Sequence, residues 1–310
     1  MDKIRFGVVL LLILALCSCS PRRYMVGELT DMMLAGMAAQ EQDNDLEMMQ
    51  AAMPANIKLL EALLASSPAN RDLLILLARQ YAGYAFGFLE TELEEIRSDP
   101  GDTANADAAA LSQRMSRYYE KGADYALRAL EIDNPDSRRK LAVLSSAAAF
   151  IRSTGRQDVP ALFWYGFNLS GFVNLNRDSM RALSRAHLVE KTMQRVMALN
   201  PAYFHHGAHL VLLAYYGARS PMMGGNLQAA LKHYRILDEA TDHQFLLNDL
   251  FYARYCLVQI QDREAFERTL AGIETRAETI ETYRLFNAIA AKRAQVYLKS
   301  VDRFFESDSE

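Results

Sequence analysis

Apolar residues recur at helical spacing along most of the chain. Ile57, Leu60 and Leu64 fall on one face of a helix, and Leu285 and Ile289 repeat the pattern near the end. Alternating stretches rich in Val, Ile and Thr, which would predict strands, are scarce after the N-terminal apolar run. The 15 glycines and 8 prolines are spread thinly. The pattern therefore predicts an all-α protein.

Three prolines divide the helical pattern at a regular interval. Pro68, Pro135 and Pro201 each follow an apolar helix end, and successive members are 67 and 66 residues apart. Those spacings are close to twice the tetratricopeptide period of about 34 residues. Because proline cannot continue a helix, each of the three predicts a helix end. We therefore predict tetratricopeptide-like helical hairpins wound into a compact superhelix.

The chain begins with the pattern of a signal peptide. Lys3 and Arg5 supply positive charge ahead of an unbroken apolar run over residues 6–16. That run is too short to span a membrane. We therefore predict that residues 1–18 are a signal peptide that is removed.

A cysteine follows the predicted cleavage point. Small Ser18 precedes Cys19, whereas bulky Leu16 precedes the rival acceptor Cys17. This layout is typical of a bacterial lipoprotein, so we predict a mature protein acylated at Cys19 and held to a membrane outside the cytoplasm. Ser20, rather than aspartate, comes next, which favours the periplasmic face of the outer membrane. An ordinary signal peptide cut elsewhere would instead leave a secreted protein without an anchor.

The mature chain divides into a tether, one domain and a tail. Residues 19–45 are polar and rich in methionine, and we interpret them as a tether from the lipidated cysteine. Residues 46–304 carry the helical pattern and form the tetratricopeptide-like domain. Residues 305–310 are predicted to be a disordered C-terminal tail.

Composition and charge narrow the classes of function. Hydrophobic residues make up 51% of the chain, which is ample for a sizeable core. The net charge of -4, from 34 basic and 38 acidic residues, gives no basic excess to neutralise phosphates, so nucleic acid is not an expected partner. Cys256 is the thiol left after lipoprotein processing, and its apolar neighbours predict a buried, inert side chain.

The sequence offers no motif for catalysis. A phosphate-cradling glycine motif, a Cys-x-x-Cys pair and a nucleophile elbow are all missing, so we expect neither an enzyme nor a bound cofactor. His205 and His209 are four residues apart and would share a helix face, as zinc ligands do. Ala208 stands where a metalloprotease motif would supply a carboxylate neighbourhood, and no third ligand is nearby. A metal site is therefore not predicted, and a metal-dependent enzyme stays the weakest alternative.

Aromatic, amide and histidine side chains form three clusters that are candidates for a ligand path. Aromatic faces supply apolar contact, whereas amide and imidazole groups fix a ligand's orientation. Histidine also titrates near neutral pH, which predicts pH-dependent passage. Core packing is the alternative for each residue, and we expect only part of the set to line one channel. The candidates are Tyr84, Phe86, Trp164, Tyr165, Asn168, Tyr203, His206, His209 and Tyr216.

Several short segments, taken in order, resemble the TatT family, the T component of tetratricopeptide-associated TRAP transporters. The likeness covers roughly residues 43–300. Phe172 departs from the family, in which a second tryptophan is expected after Trp164. The segments that carry the resemblance are Asp43-Asn44-Asp45-Leu46, residues 59–68, Leu73-Leu74, Tyr84-Ala85-Phe86, Leu162-Phe163-Trp164-Tyr165, Gly207-Ala208-His209, Gly224-Gly225, Tyr252-Ala253-Arg254-Tyr255 and Asn287-Ala288-Ile289-Ala290.

The resemblance implies a non-enzymatic periplasmic lipoprotein that works beside a substrate-binding P subunit and a membrane permease. It also implies a homotrimer with a pore through each subunit, and a small-molecule ligand. The alternative is a tetratricopeptide scaffold that assembles envelope complexes. A lined, continuous channel would favour the transport role, whereas a groove with a sealed centre would favour the scaffold.

Overall fold

The structure, a computed structural model, describes residues 21–98, 101 and 103–305. Cys19, the signal peptide and residues 306–310 of the predicted tail lie outside the described residues. The α-helices of the described ranges are α1 (Pro21–Glu41), α2 (Leu46–Ser66), α3 (Arg71–Tyr84), α4 (Glu90–Ser98), α5 (Ala104–Asp133), α6 (Ser137–Ala142), α7 (Leu144–Ser153), α8 (Val159–Leu175), α9 (Met180–Leu183), α10 (Ala186–Leu199), α11 (Tyr203–Gly217), α12 (Leu227–Ala240), α13 (Leu247–Tyr252), α14 (Arg263–Ala277) and α15 (Arg284–Lys299). The same ranges also contain two π-helices, Ala85–Leu89 and Ala253–Leu257, and three short 3₁₀ segments, Arg156–Asp158, Pro221–Met223 and Val301–Arg303.

The described part of the chain is all-helical, as the hydrophobic pattern predicts. Helices α2, α5 and α10 each end two residues before one of the three prolines, Pro68, Pro135 and Pro201. The residue ahead of each proline has left the helical conformation, with ψ between 70° and 89°. The ring of a proline excludes the helical region for the residue before it, which explains all three helix ends. The predicted helix breaks are confirmed.

Helices that follow one another in the chain pack against each other, and the last long helix packs against the first ones. Helix α5 lies against α3 and α8, and α10, α11 and α12 follow by successive pairwise packing. The last hairpin, α14 with α15, closes the array because α15 contacts α4, α1 and α2. The interior is therefore enclosed by helices from both halves of the chain.

Asn168 joins three of the central helices. Its Nδ2 donates hydrogen bonds to the carbonyl oxygens of Ala78 on α3, at 3.0 Å, and of Trp164 on α8, at 2.8 Å. Gly122 on α5 comes so close that a Cβ there would lie 2.1 Å from Asn168 Oδ1. The glycine is therefore required for α5 to approach the amide, and the amide satisfies two carbonyl groups inside the core.

The segment interpreted as a tether contains a helix. Helix α1 spans Pro21–Glu41, but Val26 and Thr30 are the buried side chains over its residues 25–41. Helix α8, by contrast, buries most of its length. Helix α1 is thus attached shallowly to the body of the protein. No helix in the described ranges is both long enough and apolar enough to cross a membrane.

Candidate functional site

A small pocket lies where α1, α2, α3, α8, α11 and α15 meet, and we call it the outer pocket. Its volume is about 70 Å³. Its walls are mainly aromatic and methionine side chains, and a cation and a carboxylate stand among them. The residues used below are Glu41, Arg79, Phe86, Trp164, Phe204 and Phe286.

Aromatic rings of the outer pocket meet edge to face. The rings of Trp164 and Phe204 have centroids 4.7 Å apart at an interplanar angle of 68°. Phe204 in turn meets Phe286 at 5.8 Å and 89°. Edge-to-face pairs are the favoured arrangement of aromatic rings, so this wall is a stable apolar surface.

A strained turn at the start of α11 presents part of that wall. Phe204, His205 and His206 have φ values of 48°, 55° and 58°. For residues other than glycine the left-handed region costs on the order of 1–2 kcal/mol each. Three such residues in succession are held only where the surroundings impose them, and such strain is found at functional sites.

The turn corrects one expectation from the sequence. His205 and His209 do not share a helix face, because the residues from Phe204 to His206 are not in a right-handed helix. His205 Nε2 lies 2.9 Å from a carboxylate oxygen of Glu41, whereas His209 Nδ1 lies 3.0 Å from His233 Nδ1. Among residues 21–98, 101 and 103–305, no group of three or more His, Cys, Asp and Glu side chains could hold a metal ion.

A charged pair closes one side of the outer pocket. The guanidinium of Arg79 on α3 forms an ion pair with the carboxylate of Glu41 at the end of α1. The same guanidinium lies 5.1 Å from the ring centroid of Phe204 and 6.0 Å from that of Trp164. Burial lowers the pKa of Arg79, because desolvation penalises its charged form. The pair and the ring contacts together stabilise a cation inside an apolar site.

A second space, which we call the inner cavity, lies where α4, α5, α8, α11 and α13 meet. It measures about 40 Å³, and polar groups line part of it. The Tyr119 hydroxyl donates a 2.5 Å hydrogen bond to Glu90 Oε1, and Arg293 Nη1 lies 3.3 Å from Glu90 Oε2. Burial raises the pKa of Glu90 despite these partners. Tyr255 from the second π-helix and Ser170 and Asn174 from α8 add further polar groups to the lining.

Phe86 is common to the walls of both spaces. It belongs to the π-helix Ala85–Leu89, a form of helix that appears frequently at functional sites. Its ring packs edge to face on Phe167 at 5.6 Å and on Phe251 at 5.8 Å. The Arg293 guanidinium lies 4.9 Å from the ring centroid and donates to the Phe86 carbonyl oxygen. Phe86 is therefore the lining residue that the outer pocket and the inner cavity share.

Of the other candidates on the aromatic side, Trp164 lines the outer pocket and Tyr203 packs behind it. The Tyr203 ring meets Phe163 at 5.3 Å, and Phe163 meets Trp164 at 4.9 Å. Burial raises the pKa of Tyr203 to about 12. Phe86, Trp164 and Tyr203 are thus brought together by the π-helix Ala85–Leu89, α8 and α11.

Three candidates lie away from both spaces. Tyr84 packs against Tyr118 at 6.0 Å, outside both spaces. Tyr165 faces an open surface groove of about 480 Å³ bordered by charged side chains, on the other side of α8 from Trp164. Asn168 is fully buried between helices.

The remaining candidates surround a pair of histidines. His209 contacts His233, and the ring of Tyr216 stacks on His233 at 5.8 Å and 8°. The Tyr216 hydroxyl donates to Glu190 at 2.7 Å. His206 stands in the strained turn, where burial lowers its pKa. None of these four rings lines the outer pocket or the inner cavity.

Two charged residues of the site were missed by sequence reasoning. Glu41 lies in a run of polar residues that reads as a solvated lead into the next helix. Arg79 gives a usable signal, because it is the one charged residue in the mainly apolar run over residues 73–86. A charge in such a run requires a partner, and the partner here is distant in sequence.

The closed helical array and the two small spaces beside Phe86 define an all-α protein with a candidate site among its central helices. Residues 42–305 match the family described as the TRAP transporter T-component (TAtT), and the chain belongs to that family. It is also similar to an uncharacterized protein of Treponema pallidum (strain Nichols), with 26% identity over 274 residues that cover 85% of this chain and 81% of that protein. The family is a transporter component rather than an enzyme, and membership implies association with other TRAP transporter components.

Proposed function

We propose that this protein is a periplasmic lipoprotein that gives a solute a path toward the substrate-binding P subunit of a TRAP transporter. The observation that carries the proposal is that Phe86 lines both the outer pocket and the inner cavity. Rotation of that one ring would join the two spaces. The path would then run from an aromatic entrance to a polar interior at Glu90 and Tyr119.

The sizes of the two spaces support a closed resting state. A water molecule takes up about 30 Å³ in the liquid, whereas pockets that hold organic ligands measure several hundred Å³. The outer pocket, at about 70 Å³, and the inner cavity, at about 40 Å³, are far smaller than such pockets. A solute would therefore need Phe86 and the surrounding side chains to move.

The wider assembly is proposed on family membership. The chain would be anchored through Cys19, facing the periplasm from the outer membrane. Three copies would form a homotrimer, each a tetratricopeptide-like superhelix around its own central path. The P subunit and the permease would be its partners.

The path is tested by the chemical accessibility of the inner cavity. Ser170 lines that cavity, so Ser170→Cys supplies a thiol there whose labelling by a small maleimide is followed by peptide mass spectrometry. We expect slow labelling with Phe86 present and labelling at least about tenfold faster with Phe86→Ala, because the partition is removed. Phe150→Ala, which empties a buried site on α7, is the matched control and should leave the rate unchanged. Equal acceleration by both substitutions would mean general loosening and would contradict the path.

Transport is tested with the same residues. Phe86→Trp and Trp164→Ala should reduce uptake of the solute that the P subunit binds, and His209→Gln should not, since His209 lines neither space. Pull-down of the P subunit separates the possible causes. Lost uptake with intact P-subunit binding supports a ligand path, whereas lost P-subunit binding would make this region a docking surface. Normal uptake by both Phe86→Trp and Trp164→Ala would show that these two side chains serve only to pack the core.

The anchor has its own test. Mass spectrometry of the mature N-terminus should find an acylated Cys19. A Cys19→Ala protein that remains acylated and membrane-bound would contradict the proposed anchor.

A further inference from the structure

The carboxylate of Glu41 is held in the outer pocket by two side chains. One oxygen pairs with the Arg79 guanidinium, and the other lies 2.9 Å from His205 Nε2. An ionised carboxylate can only accept hydrogen bonds, so the imidazole donates. The two donors come from α3 and from the strained turn of α11, and together they form a receptor for a carboxylate.

The two donors, Arg79 and His205, lie on helices of the packed body of the protein, whereas the Glu41 carboxylate that they hold lies on the shallowly attached helix α1. Arg79 stands on a helix that is buried along most of its length. Glu41 is the last residue of α1, which is attached shallowly. Within the described ranges, Glu41 is the carboxylate that pairs with Arg79. A half-buried guanidinium needs such a partner, and another carboxylate would satisfy it equally well.

The rest of the pocket suits an apolar chain. Its walls include the rings of Trp164, Phe204 and Phe286 and the flexible side chains of Met49 and Met53. Methionine adapts its shape to irregular apolar surfaces. Helix α1 also contributes Met37, so movement of its end would both vacate the receptor and enlarge the pocket.

We propose that the outer pocket binds an amphipathic monocarboxylate, and that Glu41 occupies the ligand's carboxylate position until the ligand displaces it. The proposal rests on the proposed function in taking this ligand as the solute that enters the path. The exchange replaces one carboxylate by another on Arg79 and His205, so the polar contacts are conserved. Burial of the ligand's apolar chain drives the exchange.

The charge of the receptor excludes other headgroups. An amine would meet the positive field of Arg79 after Glu41 leaves. An alcohol offers no charge to replace that of Glu41, and the guanidinium would remain unpaired. Selectivity for the carboxylate over these two headgroups is therefore the signature of the site.

Trp164 provides the measurement, because it is the single tryptophan of the chain and lines the outer pocket. Decanoate is titrated below its micelle-forming concentration while tryptophan fluorescence is followed, with decanol and decylamine as probes of the same chain length. The proteins are the unaltered chain, Glu41→Gln, Glu28→Gln and the double variant Glu41→Gln/Arg79→Gln. Glu28 is an exposed residue of the same helix, so Glu28→Gln makes the same change in charge away from the pocket.

The expected result is a gain of affinity confined to one single variant. Glu41→Gln should bind decanoate roughly tenfold more tightly, because the internal competitor loses its charge. Glu28→Gln should bind like the unaltered protein. The double variant leaves no buried charge unpaired, so it should fold, as checked by circular dichroism, and it should lose the preference for decanoate over decanol.

Three results would overturn the proposal. The first is equal binding of decanoate by Glu41→Gln and the unaltered protein, which would make the ion pair a structural link between α1 and the body. The second is an equal gain in Glu28→Gln, and the third is equal affinity for the three headgroups. These measurements use purified protein and no P subunit. Carboxylate selectivity with normal uptake by the Phe86 and Trp164 variants would overturn only the transport role, and the reverse pattern would overturn only the carboxylate site.

Discussion

The Nδ1 atoms of His209 on α11 and His233 on α12 lie 3.0 Å apart. One ring must donate and the other must accept, so the pair is stable only while at least one ring is neutral. Burial, followed by neighbouring positive charge, lowers the pKa of each imidazole to about 4. His209 therefore does not titrate near neutral pH, contrary to the expectation that it would make passage depend on pH there.

The pair predicts acid sensitivity of the fold. Both folded pKa values lie below the unfolded value of 6.5, so the unfolded chain binds more protons, and stability falls as the pH drops from about 6.5 to about 4. Replacing both residues, by His209→Gln and His233→Gln, should reduce this loss by on the order of 2 kcal/mol, which is less than the two pKa shifts alone would give because solvent screens the partly exposed pair. Urea unfolding at pH 7 and pH 4.5 measures the difference.

His243 supplies a control of opposite sign. Its hydrogen bond to Asp238 raises its pKa, so it stabilises the fold at low pH and this contribution is lost as the pH rises. His243→Gln should therefore not reduce the acid-dependent loss. A reduction equal to that of the double variant would contradict the assignment to the histidine pair.

The left-handed turn predicts that the usual preference of a helix for alanine over glycine is reversed at His206. At His206, glycine should give a protein about 1 kcal/mol more stable than alanine, because φ is 58° and only alanine has a Cβ that clashes there. At Arg235, an exposed position inside α12, alanine should be the more stable residue by about 1 kcal/mol. Thermal or urea unfolding of the four variants tests this, and the same preferred residue at both sites would argue against the turn.

The contact between α5 and α8 predicts a steric effect. Gly122→Ala should lower the free energy of unfolding by about 1–3 kcal/mol, because the new Cβ would overlap the buried amide of Asn168. Gly272→Ala is the matched change in an open part of α14, with no atom within 4 Å of the new Cβ. It should raise the stability by about 0.5–1 kcal/mol. Chemical denaturation measures both, and equal effects would contradict the close approach.

The buried network beside the inner cavity predicts non-additive substitutions. Arg293→Met should cost about 3–5 kcal/mol of stability, because it leaves the Glu90 carboxylate without its cation. Adding Glu90→Gln should recover part of that loss, since no charge then remains unpaired. A double-mutant cycle by urea unfolding gives the coupling, and purely additive costs would show that the two side chains act independently.

Much of the fold follows from local sequence signals, but the site depends on tertiary contacts. Pro68, Pro135 and Pro201 end helices through their own ring sterics, so their effect is legible in the sequence. The turn that begins at Phe204 is not, because Phe and His have no preference for positive φ and packing imposes the conformation. Glu41 and Arg79 meet from positions 38 residues apart, and no periodicity relates them.

The aromatic candidates divide for a related reason. Trp164 and Tyr165 are neighbours in sequence, yet only Trp164 lines the outer pocket, since successive residues of a helix point about 100° apart. Composition identifies which side chains suit a ligand. The orientation of α8 about its own axis, set by the helices packed against it, decides which of these side chains face the outer pocket.

The two π-helices also set how the lining can change over evolution. The first, Ala85–Leu89, lies between α3 and α4 and inserts about one residue more than an α-helix needs, so it offsets the helical phase of α4 relative to α3; the second, Ala253–Leu257, is followed by a turn. Phe86 and Tyr255 both face the inner cavity from such turns. A substitution at Phe86 alters the chemistry of the lining and leaves the phase of α4 intact, whereas deletion of one residue from Ala85–Leu89 rotates α4 by about 100° relative to α3. The number of residues in the π-helix Ala85–Leu89 therefore sets the orientation of α4, and the identity of the side chains sets the chemistry of the lining.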